Sequence, residues 1–387
     1  MAYDTADIAR QYQNAYGIPE LLLRSPARIN LIGEHTDYNN GFVLPAAIDR
    51  DIYFAMGMRA DGHWSLEAMD IGEKAELTSA PTLPNALWAQ YFFAIREELS
   101  SRKLPVKGIN CAFGGNIPRG AGISSSAALT CGFIYGLDQL HHWGLTRLDI
   151  ARIAQAAEHR VGIKCGIMDQ YAVLHGREQQ AIQLDCRSLT HTYASVDTGD
   201  FRFVLFNSMV SHSLASTAYN DRREACESVV AAIRQQHPEV ESVRDISPAQ
   251  LEEQRHQLPA IDLQRVSFVM QENERVRTAS QALQAGQLDR FGQLMFQSHE
   301  GLSKEYEVSC IELDFLVDFM RQFPEQVWGA RMMGGGFGGC TLNLIHKDAI
   351  DSIDQKLAPA FEARFGMRPD RHVVQIRDGV SIIQPTK

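Results

Sequence analysis

The chain has 387 residues with a formal net charge of -10, and 45% of its residues are hydrophobic. That length is too great for one typical core and predicts two domains, each able to bury its own apolar interior. The negative charge would repel nucleic-acid phosphates and anionic membrane surfaces, so neither is an expected partner. A phosphate-bearing ligand would therefore need local backbone donors.

Cysteine usage and the first residues predict the compartment. The seven cysteines are at least twenty positions apart, which excludes a CxxC metal or redox pair and is typical of reduced thiols in a cytoplasm. Asp4 and Asp7 stand where a signal peptide would need a basic start. The longest charge-free run, 120–137, is too rich in glycine and serine for a membrane span. We therefore expect a cytoplasmic protein in which that run forms a buried, glycine-opened helix.

The first elements in chain order surround a polar stretch. Residues 4–16 have helical spacing and are followed by helix-stop signals. Two strands, 27–33 and 41–48, flank the stretch EHTDYNN, which ends in an Asn-Gly turn signal. Further predicted elements are a strand at 108–113, helices through about 140 and at 149–160, a turn into another helix after 161, and strands at 181–189 and 201–209. The polar stretch is thus expected at strand ends.

The composition changes near Ser216, after which about a hundred residues are expected to be mainly helical. We therefore predict an N-terminal domain over 1–200 and a C-terminal domain over 201–387. Within the second domain, 327–345 predicts a strand, a glycine loop and a second strand, followed by a helix at 348–365 and a strand at 372–376.

The stretch EHTDYNN gathers candidate ligands for vicinal hydroxyl groups. Glu34, His35 and Asp37 bring two carboxylates and an imidazole within four residues, and an ionised carboxylate accepts from two O–H groups at once. A sugar fits this pattern, whereas a solvated turn is the alternative. Arg28 lies on the preceding strand, where the simplest role is an ion pair with Glu34 or Asp37.

The stretch NIPRGAGISSSAAL, 116–129, is a candidate anion site. Successive N–H groups from Gly120 to Ser126 could surround phosphate oxygens, with a serine hydroxyl left for a magnesium ion. The stretch lacks the lysine of a P-loop, and Ser125 replaces the third glycine of a dinucleotide motif. A tight turn with a serine-capped helix is the alternative.

Two further segments carry residues of interest. Glu158 and Asp169 flank a glycine-containing turn, where either is a cap or surface charge, and Glu158 could equally be an oxygen ligand for magnesium. The segment 334–339 has five glycines in six positions, more than a β-turn needs. It therefore predicts a close approach of the backbone to another group.

Together these segments resemble the GHMP family of small-molecule kinases. RINLIGEHTDYNNGFVLP is similar to the signature of members that phosphorylate galactose, PRGAGISSSAAL to the family's phosphate-binding motif, and GGGFGGCTLNL to its C-terminal motif. The resemblance implies an α+β, two-domain fold with the active site in the cleft between the domains. It also implies ATP-dependent phosphorylation of the anomeric hydroxyl of galactose to galactose 1-phosphate, the first committed step of galactose catabolism.

Motif by motif, the resemblance implies roles for particular residues. Asp169 would face the anomeric hydroxyl as the catalytic carboxylate, with Arg28 beside it. The implied galactose-binding residues are Glu34, His35, Thr36, Asp37 and Tyr219. The implied ATP-binding residues are Trp88, Gly120, Ala121, Gly122, Ile123, Ser124, Ser125 and Ser126. Ser126 and Glu158 match the magnesium positions, so the expected ligands are galactose and Mg-ATP.

Two alternatives remain open. Motifs do not show pocket shape, so a kinase of the same family acting on an amino sugar or a pentose is one of them. A galactose sensor that has lost catalysis is the other, although the unbroken GISSSAA together with Arg28 and Asp169 argues against it. We expect a monomer that binds neither nucleic acid nor membrane.

Overall fold

The computed structural model describes residues 3–78, 83–118, 120–210 and 215–383. The helices of these residues are α1 (Thr5–Tyr16), α2 (Leu87–Ser101), α3 (Ser125–His141), α4 (Arg147–Val161), α5 (Met168–His175), α6 (Ala215–Arg234), α7 (Pro248–Glu253), α8 (Ala260–Gln284), α9 (Leu288–Lys304), α10 (Ile311–Met320) and α11 (Ile350–Phe365). The strands are β1 (Leu21–Asn30), β2 (Phe42–Val43), β3 (Pro45–Arg59), β4 (Trp64–Ala68), β5 (Glu73–Leu77), β6 (Gly108–Gly115), β7 (Gln180–Asp185), β8 (Thr190–Ser195), β9 (Phe201–Asn207), β10 (Val327–Met332), β11 (Cys340–His346), β12 (Asp370–Val374) and β13 (Ser381–Ile382). This mixture confirms the α+β class.

The described strands form three sheets. Their orders are β13-β1-β3-β6-β4-β5, β10-β11-β9-β12 and β2-β7-β8. All pairings within them are antiparallel except that between β4 and β6. In β1 the register to β3 shifts between Pro26 and Arg28. Proline cannot donate to a strand ladder and is tolerated at such irregularities, which re-aim the neighbouring side chains.

The local predictions are confirmed where the sequence carries strong signals. The first helix begins after Asp4, whose carboxylate accepts a hydrogen bond from the Asp7 N–H in a capping box. The mainly helical region after Ser216 is α6 to α10.

The elements β4, β5, α2, β8 and β13 were not predicted, and β5 shows why. Its sequence, EKAEL, is largely exposed at a sheet edge, so it lacks the alternation of a half-buried strand.

Glycines allow α3 to lie close against the first sheet. A Cβ built on Gly132 would lie 2.6 Å from both Phe54 and Ser25, and one on Gly136 would overlap the Met56 side chain. The run at 120–137 therefore supplies a buried, glycine-opened helix as predicted. Within the described ranges, no helix is long and apolar enough to cross a membrane.

The two halves of the chain share apolar packing at their junction. One buried cluster joins Ala27 and Ile29 of β1 to Phe203 of β9 and Leu342 of β11. In chain order, the first strand of the second sheet is β9, which starts at Phe201. By contrast, β13 lies near the end of the chain but pairs with β1 in the first sheet. The domain division at residue 200 remains a prediction. Strand β13 belongs to the predicted C-terminal domain by its position in the chain, but it pairs with a strand of the predicted N-terminal domain.

Candidate active site

An ion pair between Arg28 and Asp169 lies at the centre of the site. Arg28 Nε is 2.6 Å from Asp169 Oδ1, and Arg28 Nη1 donates to the Gly122 carbonyl at 2.8 Å. Burial lowers the pKa of the Arg28 guanidinium, but the nearby Asp169 carboxylate outweighs this effect and the pKa is raised. The register shift in β1 and the first turn of α5 thus bring together the two residues predicted to be catalytic.

Four of the five predicted sugar ligands line a cavity beside this ion pair. The cavity has a volume of about 290 Å³. Its lining includes Glu34, His35, Asp37 and Asp169 from the N-terminal half and Tyr219 from α6. Polar groups from both halves of the chain therefore face the same cavity, which is the arrangement expected of a small-molecule site.

Asp37 packs directly against a glycine of the turn before α5. A Cβ built on Gly166 would overlap the Asp37 carboxylate. Burial, and after it the charge of Asp169, raises the pKa of Asp37 to about 7. The space around the Asp37 carboxylate therefore exists only because residue 166 has no side chain, and any side chain there would push the carboxylate out of position.

Gly166→Ala is expected to raise the galactose KM about tenfold or more while leaving the ATP KM within about twofold. The added methyl group displaces the Asp37 carboxylate, and a buried polar contact contributes ~1–3 kcal/mol. Steady-state kinetics with each substrate varied measures both effects. In an Asp37→Gly background the same glycine change should add little, because the carboxylate and the Cβ that would clash with the new methyl group are both gone. A full additional loss there would contradict the steric explanation.

His35 is a neutral side chain in a buried aromatic cluster. Its Nδ1 lies 2.8 Å from the Tyr38 hydroxyl, which in turn lies 2.8 Å from the Tyr306 hydroxyl. Burial first, and then the charges of Arg222 and Arg331, lowers the pKa of His35 to about 3, while the Gly335 backbone opposes this shift. The Tyr219 ring lies 5.4 Å from that of His35. His35 Nε2 is buried without a well-formed hydrogen bond to the described residues, although the Gly335 backbone lies near the ring, so Nε2 is the nitrogen that can bond a ligand hydroxyl.

Glu34 is held by a buried arginine that the sequence analysis missed. Arg331 Nη2 lies 3.0 Å from Glu34 Oε1, and the Gly334 N–H donates to the same oxygen at 2.9 Å. Arg331 Nη1 also donates to the Asn30 carbonyl at 2.7 Å. The sequence did carry a signal for a buried Arg331, because it is the single charged residue in the otherwise apolar run VWGARMM.

Thr36, also predicted to bind the sugar, has its hydroxyl bonded to the backbone. Its hydroxyl oxygen is buried 2.8 Å from the Gly33 carbonyl and 2.6 Å from the Phe42 carbonyl. It does not line the cavity. The Thr36 hydroxyl thus bonds backbone carbonyls of its own region, and the assignment of Thr36 to the sugar site remains a prediction.

A second cavity, of about 760 Å³, adjoins the start of α3. Trp88 and Ser125 are among its lining residues, and Ser126 lines both this cavity and the first one. The Trp88 ring lies 5.6 Å from that of Phe113, and its Nε1 donates to Glu73 at 2.7 Å. The Trp88 position predicted for adenine thus lies in the same cavity as the serine run.

The loop before α3 has the backbone that its glycines predict. Gly120 and Gly122 have φ of 69° and 70°. Ala121 and Ile123 bury their side chains in the apolar cluster shared by both halves, so a nucleotide can contact them only through their backbone. A Cβ on Gly334 would lie 3.2 Å from the Gly122 carbonyl. The close approach predicted for the second glycine motif is therefore made to this loop.

The three consecutive serines have three different surroundings. The Ser124 hydroxyl donates to Asp169 Oδ2. Ser125 faces the second cavity, and Ser126 lies beside Glu158, whose pKa its hydroxyl lowers. The Ser124 hydroxyl is therefore engaged by the carboxylate, and its predicted part in ATP binding is left to its backbone N–H group.

Glu158 and Ser126 fit a magnesium ion bound together with phosphate. Glu158 Oε1 accepts from Gln170 Nε2 at 2.8 Å, and burial raises the pKa of Glu158 to about 7. In the described part of the chain, no group of three or more His, Cys, Asp or Glu side chains could hold a metal ion. One carboxylate and one hydroxyl are nevertheless the hard oxygen donors that suit Mg²⁺, which takes most of its ligands from phosphate and water.

Comparisons with known proteins agree with this geometry. The galactokinase galactose-binding signature matches residues 10–58, and the GHMP kinase N-terminal and C-terminal domains match 89–177 and 279–363. The galactokinase of Roseiflexus sp. (strain RS-1) is 36% identical over 381 residues, with 97% of both chains covered. That of Thermotoga maritima is 36% identical over 362 residues, or 93% of this chain and 99% of the relative.

Solved structures show the same fold. The crystal structure of Lactococcus lactis galactokinase complexed with galactose matches with a TM-score of 0.92 at 29% identity, covering 98% of this chain and 99% of that one. Methanococcus jannaschii mevalonate kinase shares the fold at a TM-score of 0.63 and 17% identity, covering 94% of this chain and 100% of that one. Fold and site thus define a GHMP-type small-molecule kinase. Within that class, the chain belongs to the galactokinase family.

Proposed function

We propose that the protein transfers the γ-phosphoryl group of ATP to the anomeric hydroxyl of galactose, giving galactose 1-phosphate. The observation that carries the proposal is the meeting of two cavities at Ser126, beside the Arg28–Asp169 pair. One cavity has the polar lining suited to a sugar, and the other adjoins the glycine-serine loop. The Lactococcus lactis relative, crystallised with galactose, supports the sugar assignment.

In this proposal the chain acts mainly by positioning its two substrates. Glu34, His35 and Asp37 orient the sugar, while N–H groups of the loop and the start of α3 hold phosphate oxygens. Asp169 accepts the proton of the anomeric hydroxyl, and Arg28 stabilises charge on the transferring group. Ser126 and Glu158 would hold a magnesium ion, which would neutralise charge on the phosphates. Alignment of the hydroxyl with the γ-phosphate then accounts for most of the rate.

A coupled assay with Mg-ATP and a panel of galactose, galactosamine and arabinose tests the proposal. We expect the highest kcat/KM with galactose. A preference for the amino sugar or the pentose would favour a related sugar kinase. Galactose binding by calorimetry without any turnover would instead favour the sensor that has lost catalysis.

Trp88→Ala is expected to raise the ATP KM about tenfold, because base stacking on an aromatic side chain contributes ~1–3 kcal/mol. Trp88 lines the second cavity and not the first, so the galactose KM should change by less than about twofold. Trp88→Phe, which keeps an aromatic face, should lose less than the alanine variant. An unchanged ATP KM in Trp88→Ala would remove this residue from the adenine site.

Galactose affinity is expected to fall about tenfold between pH 8 and pH 6. Asp37 has its pKa raised to about 7, so the ionised form drops from about nine-tenths to about one-tenth over this range. Only the carboxylate accepts from two hydroxyl groups, so affinity decreases as the pH decreases. Calorimetric titration at several pH values measures this effect. Asp37→Asn should bind weakly with a flat profile, and a profile as steep as that of the wild type would contradict the assignment.

The proposal also includes a monomer in the cytoplasm with magnesium as the metal and with domains at 1–200 and 201–387. All seven cysteines are free, which is typical of a reducing compartment and supports this location. The second sheet begins with β9 at Phe201, which supports the division at 200.

A further inference from the structure

Ser124 occupies the cap position of α3 without capping it. Its backbone is left-handed, with φ 61° and ψ 52°, and its side chain makes no cap hydrogen bond. A serine N-cap ordinarily has an extended backbone and accepts a hydrogen bond from the first turn. Here the hydroxyl is turned the other way and donates to Asp169 Oδ2.

The left-handed backbone makes serine an unfavourable choice at this position unless its hydroxyl contributes something. Glycine adopts this conformation without steric penalty, whereas other L-residues do so at a disadvantage. No other side-chain hydrogen bond of Ser124 is present among the described residues. The contribution of the side chain is therefore its bond to the carboxylate.

The same loop holds both members of the ion pair. The Gly122 carbonyl accepts from Arg28 Nη1, and two residues later Ser124 donates to Asp169. Arg28 Nε donates to Asp169 Oδ1, so each oxygen of the Asp169 carboxylate has its own donor. Two donors on different oxygens fix the plane of the carboxylate as well as its position.

We propose that Ser124 is a positioning residue for Asp169, through which the phosphate-binding loop aligns the carboxylate with the sugar hydroxyl. This inference rests on the proposed function for the role of Asp169. The loop then serves both substrates. Its N–H groups face the nucleotide, while the Gly122 carbonyl and the Ser124 hydroxyl bond Arg28 and Asp169. A correctly seated nucleotide and a correctly oriented carboxylate are thereby linked through one segment of backbone.

The test is Ser124→Gly, which removes the hydroxyl and suits the left-handed backbone. We expect kcat to fall about tenfold, while the KM values for galactose and ATP stay within about threefold, as for loss of a contact that matters in the transition state. The thermal transition should stay the same or rise, because glycine favours this φ. Ser124→Ala should lose as much kcat but unfold at a lower temperature.

Two controls separate positioning from other roles. His142→Gly relieves a similar φ of 55° at the exposed far end of α3, and it should leave kcat unchanged. In an Asp169→Asn background, Ser124→Gly should cost less than threefold more, since the two groups act as a unit. Full additivity would contradict the proposal.

The remaining outcomes are equally distinct. A wild-type kcat in Ser124→Gly would overturn the inference. A raised ATP KM with an unchanged kcat would also overturn it, because it would show that the Ser124 hydroxyl binds phosphate rather than positioning Asp169. Failure of the proposed function itself would appear earlier, as a wild-type protein that does not turn over galactose in the coupled assay.

Discussion

Asp169→Asn is expected to lower kcat by about 100-fold or more, the range for loss of a positioned acid–base group. The change keeps the size of the side chain but removes its charge and basicity. The asparagine oxygen can still accept from Arg28, and its amide can donate to the Ser124 hydroxyl, so the local geometry survives. Galactose and ATP should therefore still bind, and pre-steady-state kinetics should show the loss in the chemical step.

Arg28 provides the matched comparison for this result. Arg28→Ala should also lower kcat, and the double variant should fall short of the product of the two single losses because the groups form one ion pair. Near-normal turnover by Asp169→Asn, with an unaltered thermal transition, would show that the carboxylate is not the catalytic group.

Arg331→Met is expected to reduce the free energy of unfolding by about 3–5 kcal/mol, the range for breaking a buried ion pair by removing one partner. Arg331 and Glu34 are both buried, and the remaining carboxylate would retain only the Gly334 N–H from this set of contacts. Equilibrium unfolding in urea measures the change. Galactose binding should weaken as well, because Glu34 loses the partner that fixes its orientation.

Glu34→Gln combined with Arg331→Met should recover part of the lost stability, since the uncompensated charge is then absent. Arg290→Met, at an exposed position of α9, is the control for removal of an arginine and should change stability by less than about 0.5 kcal/mol. A loss in Arg331→Met no larger than in this control would show that the buried pair contributes little.

The sequence by itself determined the features that depend on near neighbours. Asp4 and Asp7 cap the first helix because their side chains reach backbone N–H groups three residues away. Gly120 and Gly122 take positive φ because they lack a Cβ, so the loop before α3 was predictable. The motif resemblance brought Arg28 and Asp169 into one predicted site, and the structure joins them by a hydrogen bond.

Only the tertiary structure decided where individual side chains and backbone segments make distant contacts. Arg331 meets Glu34 because β10 and the polar loop come together from opposite ends of the chain, and no local pattern encodes that meeting. Three adjacent serines look alike in sequence, yet the helix start turns Ser124 toward Asp169 and Ser126 toward Glu158. Thr36 lies in the sugar motif but bonds backbone carbonyls. Such partners depend on how distant segments pack, so they become definite only once the chain is folded.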